Sequence, residues 1–267
     1  MNLTFIKLGG SLITDKSQAY TTRPEMIKQL VAEIAQIHKT MPDVHMVLGT
    51  GAGSFAHQSA KKYGTKDGFT DDTGRYGASV VQHDAARLNR IIIEECIQAG
   101  LPVISFQPSA WMTAQAGEPS SINLSPIVSA LQNNIIPCVY GDVIMDEVQG
   151  STIFSTDTIF TWLIKALEAQ PDFEVEKLLN VGHYDGVLDD TGKVIENITP
   201  KNFEDIKEHL SGSAHTDVTG GMLAKVEEFL ELTKLGVSSY IFNGETSGNI
   251  EGVLQSQSKN GTLISAQ

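Results

Sequence analysis

Three lysines in this chain sit where phosphate chemistry would need them. Lys7 ends the run Phe5-Ile6-Lys7-Leu8-Gly9-Gly10-Ser11, Lys16 follows shortly after, and Lys225 comes just beyond Thr219-Gly220-Gly221-Met222. The 267 residues carry a formal net charge of -13, so cations beside glycines at two chain-distant turns are local exceptions. Glycine lets backbone amides approach an anion closely, and lysine supplies the point charge, so the two together point to one converging site for a transferable phosphate. The same residues also fit ordinary glycine turns with solvated lysines.

A second glycine cluster, Gly49-Thr50-Gly51-Ala52-Gly53-Ser54-Phe55-Ala56-His57, follows an apolar strand and opens a helical pattern, where free amides attract anions. His57 falls about one turn into that helix, within reach of whatever the glycines hold; a lone histidine is also a common structural residue. Neither standard nucleotide signature is present. Ser54 stands where the third glycine of G-x-G-x-x-G would fall, and Gly186 and Gly192 are followed by Lys193-Val194 where a Walker sequence requires Ser or Thr after the lysine. Asp157, in Phe154-Ser155-Thr156-Asp157, opens another helix and is placed to hold two lysines apart, unless it or Ser155 is only a helix cap. Tyr184-Asp185-Gly186-Val187 follows a strand and is positioned to line a base or ribose pocket, or to be a plain turn. No water-activating base or metal-ligand spacing supports a carboxylate-pair hydrolase.

The elements that must position these residues read as α/β. Strands are predicted at Leu3 to Leu8, Val44 to Leu48, Pro102 to Phe106 and Ile135 to Tyr140, separated by helical patterns, the signature of a mainly parallel sheet. One helix begins at the capping box Thr22-Arg23-Pro24-Glu25 with Ile27, Leu30, Val31, Ile34 and Ile37 inward. A longer one from about Ala78 to Ala99 buries Val81, Ala85, Leu88, Ile92 and Cys96, after a polar loop from Gly64 to Gly77 that is long enough to form a cover. Then come a hairpin around Gly150, a helix from Thr158 to Glu168, strands at Leu178 to Val181 and Ser238 to Phe242, and a helix from Met222 to Leu235. A soft boundary near residue 170 divides an N-terminal lobe, 1–170, from a C-terminal lobe, 171–267, on one continuous sheet. Cys96 and Cys138 read as small buried apolar residues.

An acidic chain lacks the broad basic face that nucleic acid or a membrane surface demands, and no apolar run approaches the roughly 20 residues of a membrane span. A cytoplasmic protein without nucleic-acid or membrane partners is expected.

Taken together, the segments resemble the amino-acid kinase superfamily and, within it, the isopentenyl phosphate kinases. The resemblance rests on Lys7-Leu8-Gly9-Gly10-Ser11 with Lys16, Gly51 to Phe55 with His57, Gln107-Pro108-Ser109-Ala110, Val139-Tyr140-Gly141-Asp142, Thr216 to Met222 with Lys225, and Gly248-Asn249-Ile250-Glu251. It implies a three-layer αβα sandwich with ATP in the C-terminal lobe, the acceptor in the N-terminal lobe, and commonly a homodimer. By that resemblance Lys7, Lys16 and Lys225 neutralise the transferring phosphoryl group, Asp157 orders them, and His57 completes the catalytic set. Gly9, Gly10, Ser11, Tyr184, Asp185, Gly186 and Gly221 join Lys7 and Lys225 around ATP. Ala52, Gly53, Gly141, Ser155 and Thr156 join His57 around a small phosphate acceptor, with Mg²⁺ carried by ATP and not by protein ligands. Isopentenyl phosphate is the expected acceptor; a fosfomycin-kinase-like or other small-acid kinase, and more remotely a silent nucleotide sensor, are the alternatives. Thr50, Ala56 and His183-Tyr184-Asp185 depart from the family pattern, the first two on the acceptor side and the third in the nucleotide pocket. Small Ala78 is expected to enlarge an acceptor-tail pocket walled by Tyr76, Val80, Ile144 and Ile153, unless these only pack the core.

Overall fold

The computed structural model describes residues 1–65, 68–211, 219–257 and 260–267, without the side chains of 208–211, 219 and 220. Its strands are β1 (Asn2–Leu8), β2 (His45–Thr50), β3 (Val103–Ser105), β4 (Met112–Gln115), β5 (Glu118–Ile122), β6 (Ile136–Tyr140), β7 (Asp142–Asp146), β8 (Gly150–Phe154), β9 (Glu174–Gly182), β10 (Asn197–Ile198), β11 (Ser238–Asn243) and β12 (Thr262–Ile264). The helices are α1 (Gly10–Ile13), α2 (Pro24–Thr40), α3 (Gly53–Tyr63), α4 (Asp72–Gln98), α5 (Ser125–Gln132), α6 (Thr156–Glu168), α7 (Phe203–Ser211), α8 (Thr219–Thr233) and α9 (Asn249–Leu254).

Eight strands form the main sheet in the order β10-β12-β11-β9-β1-β2-β6-β3, and only the β11–β12 pairing is antiparallel. Strand pleating sends successive side chains to opposite faces, and β1 shows the consequence. Leu3 and Phe5 pack into the apolar layer that contains α6 and α8, whereas Ile6 and Leu8 pack into the layer that contains α2, α4 and α9. The expected αβα sandwich is therefore the observed one. Lys7 follows Phe5 on the α6 face, and its register partners on either side are Gly49 and Asn180.

Gly49 explains how closely α6 approaches. A Cβ there would lie 2.4 Å from Phe160 Cζ and 2.8 Å from Thr156 Cγ2, so only glycine lets the first turns of α6 settle onto β2. Phe160 then meets Phe5 edge to face, ring centroids 4.8 Å apart.

The two glycine turns interlock in the same way. A Cβ on Gly10 would stand 2.4 Å from Gly53 N, and one on Gly51 would stand 2.5 Å from Gly10 N. The Thr14 hydroxyl fastens the contact, donating to Gly10 O at 2.6 Å and accepting from Ser54 N at 2.9 Å. Gly53 itself sits at φ +50, in the left-handed region.

Both predicted helix faces are buried: Ile27, Leu30, Val31, Ile34 and Ile37 on α2, and Val81, Ala85, Leu88, Ile92 and Cys96 on α4. Cys96 and Cys138 are free and buried, as expected.

Three details differ from expectation. The capping box does not form, because Arg23 is the N-cap of α2 without a side-chain bond, and Thr22 instead bridges to Thr14. Helix α4 starts six residues before Ala78, capped by the Asp71 side chain on Gly74 N at 2.7 Å. The cover loop is correspondingly shorter, and Lys66 and Asp67 within it lie outside the described residues. Gly74 and Gly77 read as loop in the sequence, but within α4 they allow contact, since a Cβ would come within 2.7 Å of Phe69 Cβ and 2.4 Å of Tyr63 Cβ respectively.

The hairpin around Gly150 belongs to a second sheet, β5-β4-β7-β8. Asp146 pins its two hairpins together by accepting from the amides of Ala116, Gly117, Val148 and Gln149 at 2.7 to 3.1 Å. The turn of the other hairpin, Ala116-Gly117, has φ +54 and +84, and alanine there gives none of the Asn-Gly signal such a turn normally carries.

Gly10→Ala is expected to lower stability by about 1–3 kcal/mol through forced separation of the two turns. Urea unfolding checks this against Gly221→Ala, where a Cβ meets nothing within 4 Å and stability is expected to hold.

Candidate active site

The C-terminal edge of the parallel sheet opens into one cavity of about 890 Å³, near the upper end of the range for ligand pockets and roomy enough for two small reactants. Open α/β sheets bind ligands at this edge because strands end there and helices begin, leaving amides unpaired.

At its charged heart, Lys7 Nζ lies 2.5 Å from Asp157 Oδ2, and Lys225 Nζ bonds the same oxygen. The other oxygen, Oδ1, accepts from Asn180 Nδ2 at 3.0 Å. Each partner arrives from a different element: Lys7 from β1, Asn180 beside it in β9, Asp157 from the first turn of α6 and Lys225 from α8. Ser155 caps α6 by accepting from Thr158 N at 3.1 Å, and Thr156 Oγ1 donates to Thr50 O at 2.7 Å, so the turn that carries Asp157 is fixed at both ends.

The cluster shapes its own titration. Burial alone would raise the Asp157 carboxyl, but the Lys225 and Lys7 ammonium groups overrule it and hold it well below the usual carboxylate range. Lys7 is lowered to about 8, chiefly by burial and further by Lys225, with Asp157 opposing both. Glu228, one turn beyond Lys225 on α8, is raised by burial and then by the charge of Asp157.

Most residues expected in the site line this cavity: Lys7, Gly9, Gly10, Ser11 and Lys16 from the first turn, Ala52, Gly53 and His57 from the second, Gly141, Ser155, Thr156 and Asp157, then Tyr184, Gly221 and Lys225. Lys16 is exposed there, ready to approach a ligand. Two residues are not brought in. Asp185 accepts from Asn243 Nδ2 at 2.9 Å, and Gly186 is packed against Val194 and Thr262, so neither lines the cavity. Of the run Thr216 to Met222, residues 216–218 lie outside the described residues.

The apolar wall is shifted from the expected one. Ile153 lines the cavity, but Tyr76 is 63% exposed and Ile144 is fully buried in the α6-side core. Val80 is likewise absent from the lining; its neighbour Val81, with Ala85 one turn on, faces the cavity beside Ala56 and Ala60 of α3. Ala78 packs behind them in the same apolar cluster. A helix presents one stripe, and the stripe that includes Val81 excludes Tyr76 and Val80. Thr50 does not line the cavity either; it is buried, its hydroxyl 3.4 Å from Asn89 Nδ2.

Three polar side chains of the cavity were not expected from the sequence. Asn180 is an unremarked polar position inside an apolar strand, visible only once its register with Lys7 is known. Lys61 lies four residues after His57 on α3, a spacing that could have flagged it. Glu228 sits three residues after Lys225 within an acidic run.

The two remaining motifs support the walls. Asp142 accepts from Ser109 N at 2.9 Å and from Val143 N at 2.9 Å, tying Gln107-Pro108-Ser109-Ala110 to the end of β6. Asn249-Ile250-Glu251 opens α9, whose amides at Ile250 and Glu251 are capped by buried Glu33 of α2 at 2.8 and 3.1 Å.

A parallel-sheet sandwich with lysines and glycine amides converging at its strand ends is the architecture of a phosphotransferase. The chain belongs to the amino acid kinase family, whose model matches residues 2–243. Within that family it is similar to the isopentenyl phosphate kinase of Methanocaldococcus jannaschii, at 32% identity over 93% of each chain. A second such enzyme, from Methanothermobacter thermautotrophicus, is also 32% identical and is matched over 99% of this chain and 100% of its own length. A crystal structure of isopentenyl phosphate kinase superposes with a TM-score of 0.80 at 27% identity, covering 98% of this chain and 100% of that one.

An ammonium attracts phosphate and a neutral amine does not, so with ATP bound against Lys7 kcat/KM for ATP is expected to fall as pH rises through about 8. In Asp157→Asn the carboxylate that raises the Lys7 pKa is gone, so the falling limb should move to lower pH; a pH–rate profile of both proteins checks it.

Proposed function

We propose that this protein catalyses ATP-dependent phosphorylation of isopentenyl phosphate to isopentenyl diphosphate. The observation that carries this reading is one cavity in which the Lys7–Asp157–Lys225 cluster shares space with a glycine turn, His57 and an apolar wall of Ala56, Ala60, Val81 and Ala85. The cluster suits a phosphoryl group in flight; the glycine turn and His57 suit a second phosphate; the small apolar residues suit a short hydrocarbon tail. The full-length similarity to isopentenyl phosphate kinases supports the same acceptor.

The chemistry follows from positioning and charge. An oxygen of the acceptor phosphate attacks the γ-phosphorus of ATP, a new P–O bond forms as the β–γ bridging bond breaks, and ADP leaves with the bridging oxygen. A phosphate monoester has a second pKa of about 6, so at neutral pH the attacking oxygen is already ionised and no general base is required. Lys7 and Lys225, spaced by Asp157, and Lys16 from just beyond the first glycine turn neutralise charge on the transferring group, while the amides of Gly9 to Ser11 hold ATP oxygens. His57, with Lys61 one turn further on, orients and neutralises the acceptor phosphate.

Among the described residues no group of three or more His, Cys, Asp or Glu side chains converges to hold a metal ion, so the donor set fits anions. Mg²⁺ belongs to this reading as an ion carried on the ATP phosphates, where it would offset their charge. The reading also keeps ATP with residues 171–267 and the acceptor with residues 1–170, and includes a homodimer in the cytoplasm; these rest on the family resemblance. Among the described residues no helix is long and apolar enough to cross a membrane.

The test is ATP consumption across isopentenyl, dimethylallyl and longer prenyl phosphates, fosfomycin and amino-acid carboxylates. Isopentenyl phosphate is expected to give the highest kcat/KM, and no turnover with any phosphate or phosphonate would sink the reading. His57→Ala is expected to weaken acceptor use by about 100-fold or more in kcat/KM while the KM for ATP changes little, the scale found for removing one stabilising donor at a charged centre. Steady-state kinetics in both substrates separates the two effects.

A further inference from the structure

Glu228 lines the charged cavity, and the mechanism above leaves it without a task. It lines the same cavity as Lys7, Asp157 and Lys225, on the helix that carries Lys225 and one turn beyond it. Thr158 Oγ1 donates to its Oε1 at 3.2 Å, and that hydroxyl is also 3.1 Å from Ser155 Oγ, the N-cap of α6. Glu228 therefore ties the helix bearing Lys225 to the turn bearing Asp157.

Its charge decides what an incoming polyanion meets. Two ammonium groups set against Asp157 leave one net positive charge; an ionised Glu228 cancels it. A neutral cluster gives a triphosphate little attraction, and a carboxylate in the cavity would repel it directly. We propose that Glu228 is a positioning residue that sets the charge of the clamp, binding one proton from solvent as ATP enters and holding it while the phosphates are bound. This rests on the ATP-dependent reading of the cavity.

The surroundings favour that protonation. From α6 the facing charge is Asp157, from β1 Lys7, and from α8 itself Lys225; burial and Asp157 prevail over both lysines and the Thr158 hydrogen bond, so the carboxyl is raised above its ordinary value before any ligand arrives. Glu228 also borders a second hollow of about 680 Å³ formed with α7, where Glu204, Lys207, Glu231 and Lys234 are the charged neighbours. Lys207 is held there by Glu227 at 2.7 Å, and the hollow puts Glu228 beside a second opening, apart from the lysine cluster, through which a proton can arrive. Each phosphate oxygen that approaches adds negative charge and drives the carboxyl further toward its neutral form.

The test is calorimetric titration of the whole protein with MgATP, without acceptor, between pH 6 and 7.5 in buffers of different ionisation enthalpy. That window lies below the Lys7 value of about 8, so Lys7 is mostly charged, and its remaining proton uptake is shared by both proteins and cancels in the comparison. Wild type is expected to take up more protons per ATP than Glu228→Gln does, and its affinity to fall with pH by up to about tenfold per unit where Glu228 is ionised in the free protein. Glu228→Gln, which keeps the acceptor for Thr158 but carries no charge, should bind with a much flatter pH dependence; a purely structural role would not produce that difference. Should the variant not fold, infrared difference spectra of wild type must show the carbonyl band of a protonated carboxylic acid appearing when MgATP is added. Equal proton uptake in the two proteins, or absence of that band, overturns the proposal while leaving the kinase reading intact. Failure of ATP to bind wild type at all would overturn both.

Discussion

Everything in the cavity depends on one carboxylate held between two ammonium groups. Asp157 accepts from Lys7, Lys225 and Asn180, so a strand, a helix and a second strand are joined to the first turn of α6 through a single side chain. Two ammonium groups this close would otherwise repel each other; Asp157 between them offsets that repulsion, with Lys7 buried and Lys225 partly so. Low water content makes those charges more effective toward phosphate than the same lysines would be on the surface. The arrangement has a cost in burial, visible in the lowered Lys7 pKa, which is offset because the groups are aimed before any ligand arrives.

That electrostatic cluster is possible only because backbone comes unusually close to backbone around it. Gly49 lets α6 rest on β2, and Gly10, Gly51 and Gly53 let two turns more than 40 residues apart touch through main chain alone. The first contact delivers Asp157 to Lys7. The second brings the amides of both glycine turns to one cavity, so that a donor and an acceptor phosphate can share it. The glycines that line the cavity thus also serve packing by lacking a Cβ.

Much of the site was legible in the sequence because its parts are local: a lysine ending a strand, glycines after strands, a Ser-Thr-Asp opening a helix. Those features depend on neighbouring residues only, and the structure brings fifteen of the expected positions to one cavity. The errors share a cause as well. Asp185 and Gly186 follow a strand as a pocket residue should, yet β11 and β12 draw them aside through Asn243 and Thr262. Tyr76, Val80 and Ile144 are apolar at plausible positions but on the wrong helix or strand face, and glycines inside α4 read as loop although they are there to admit Phe69 and Tyr63 against the helix. Thr22, a good cap by type, is claimed by a bridge to Thr14.

The sequence by itself determined the class of protein. Alternating strand and helix patterns dictate a parallel sheet, and lysines beside glycines at strand ends dictate an anion site, since both follow from periodicity and residue chemistry over short spans. Tertiary structure alone decided which groups meet: that Asn180 stands beside Lys7, that Lys61 joins His57, that Val81 and not Val80 faces the apolar wall, and that Glu228 shares the lysines' cavity. Sheet register, helix rotation and the distance between charges are set by contacts among residues far apart in the chain, and it is those contacts that bring three scattered lysines to one cavity.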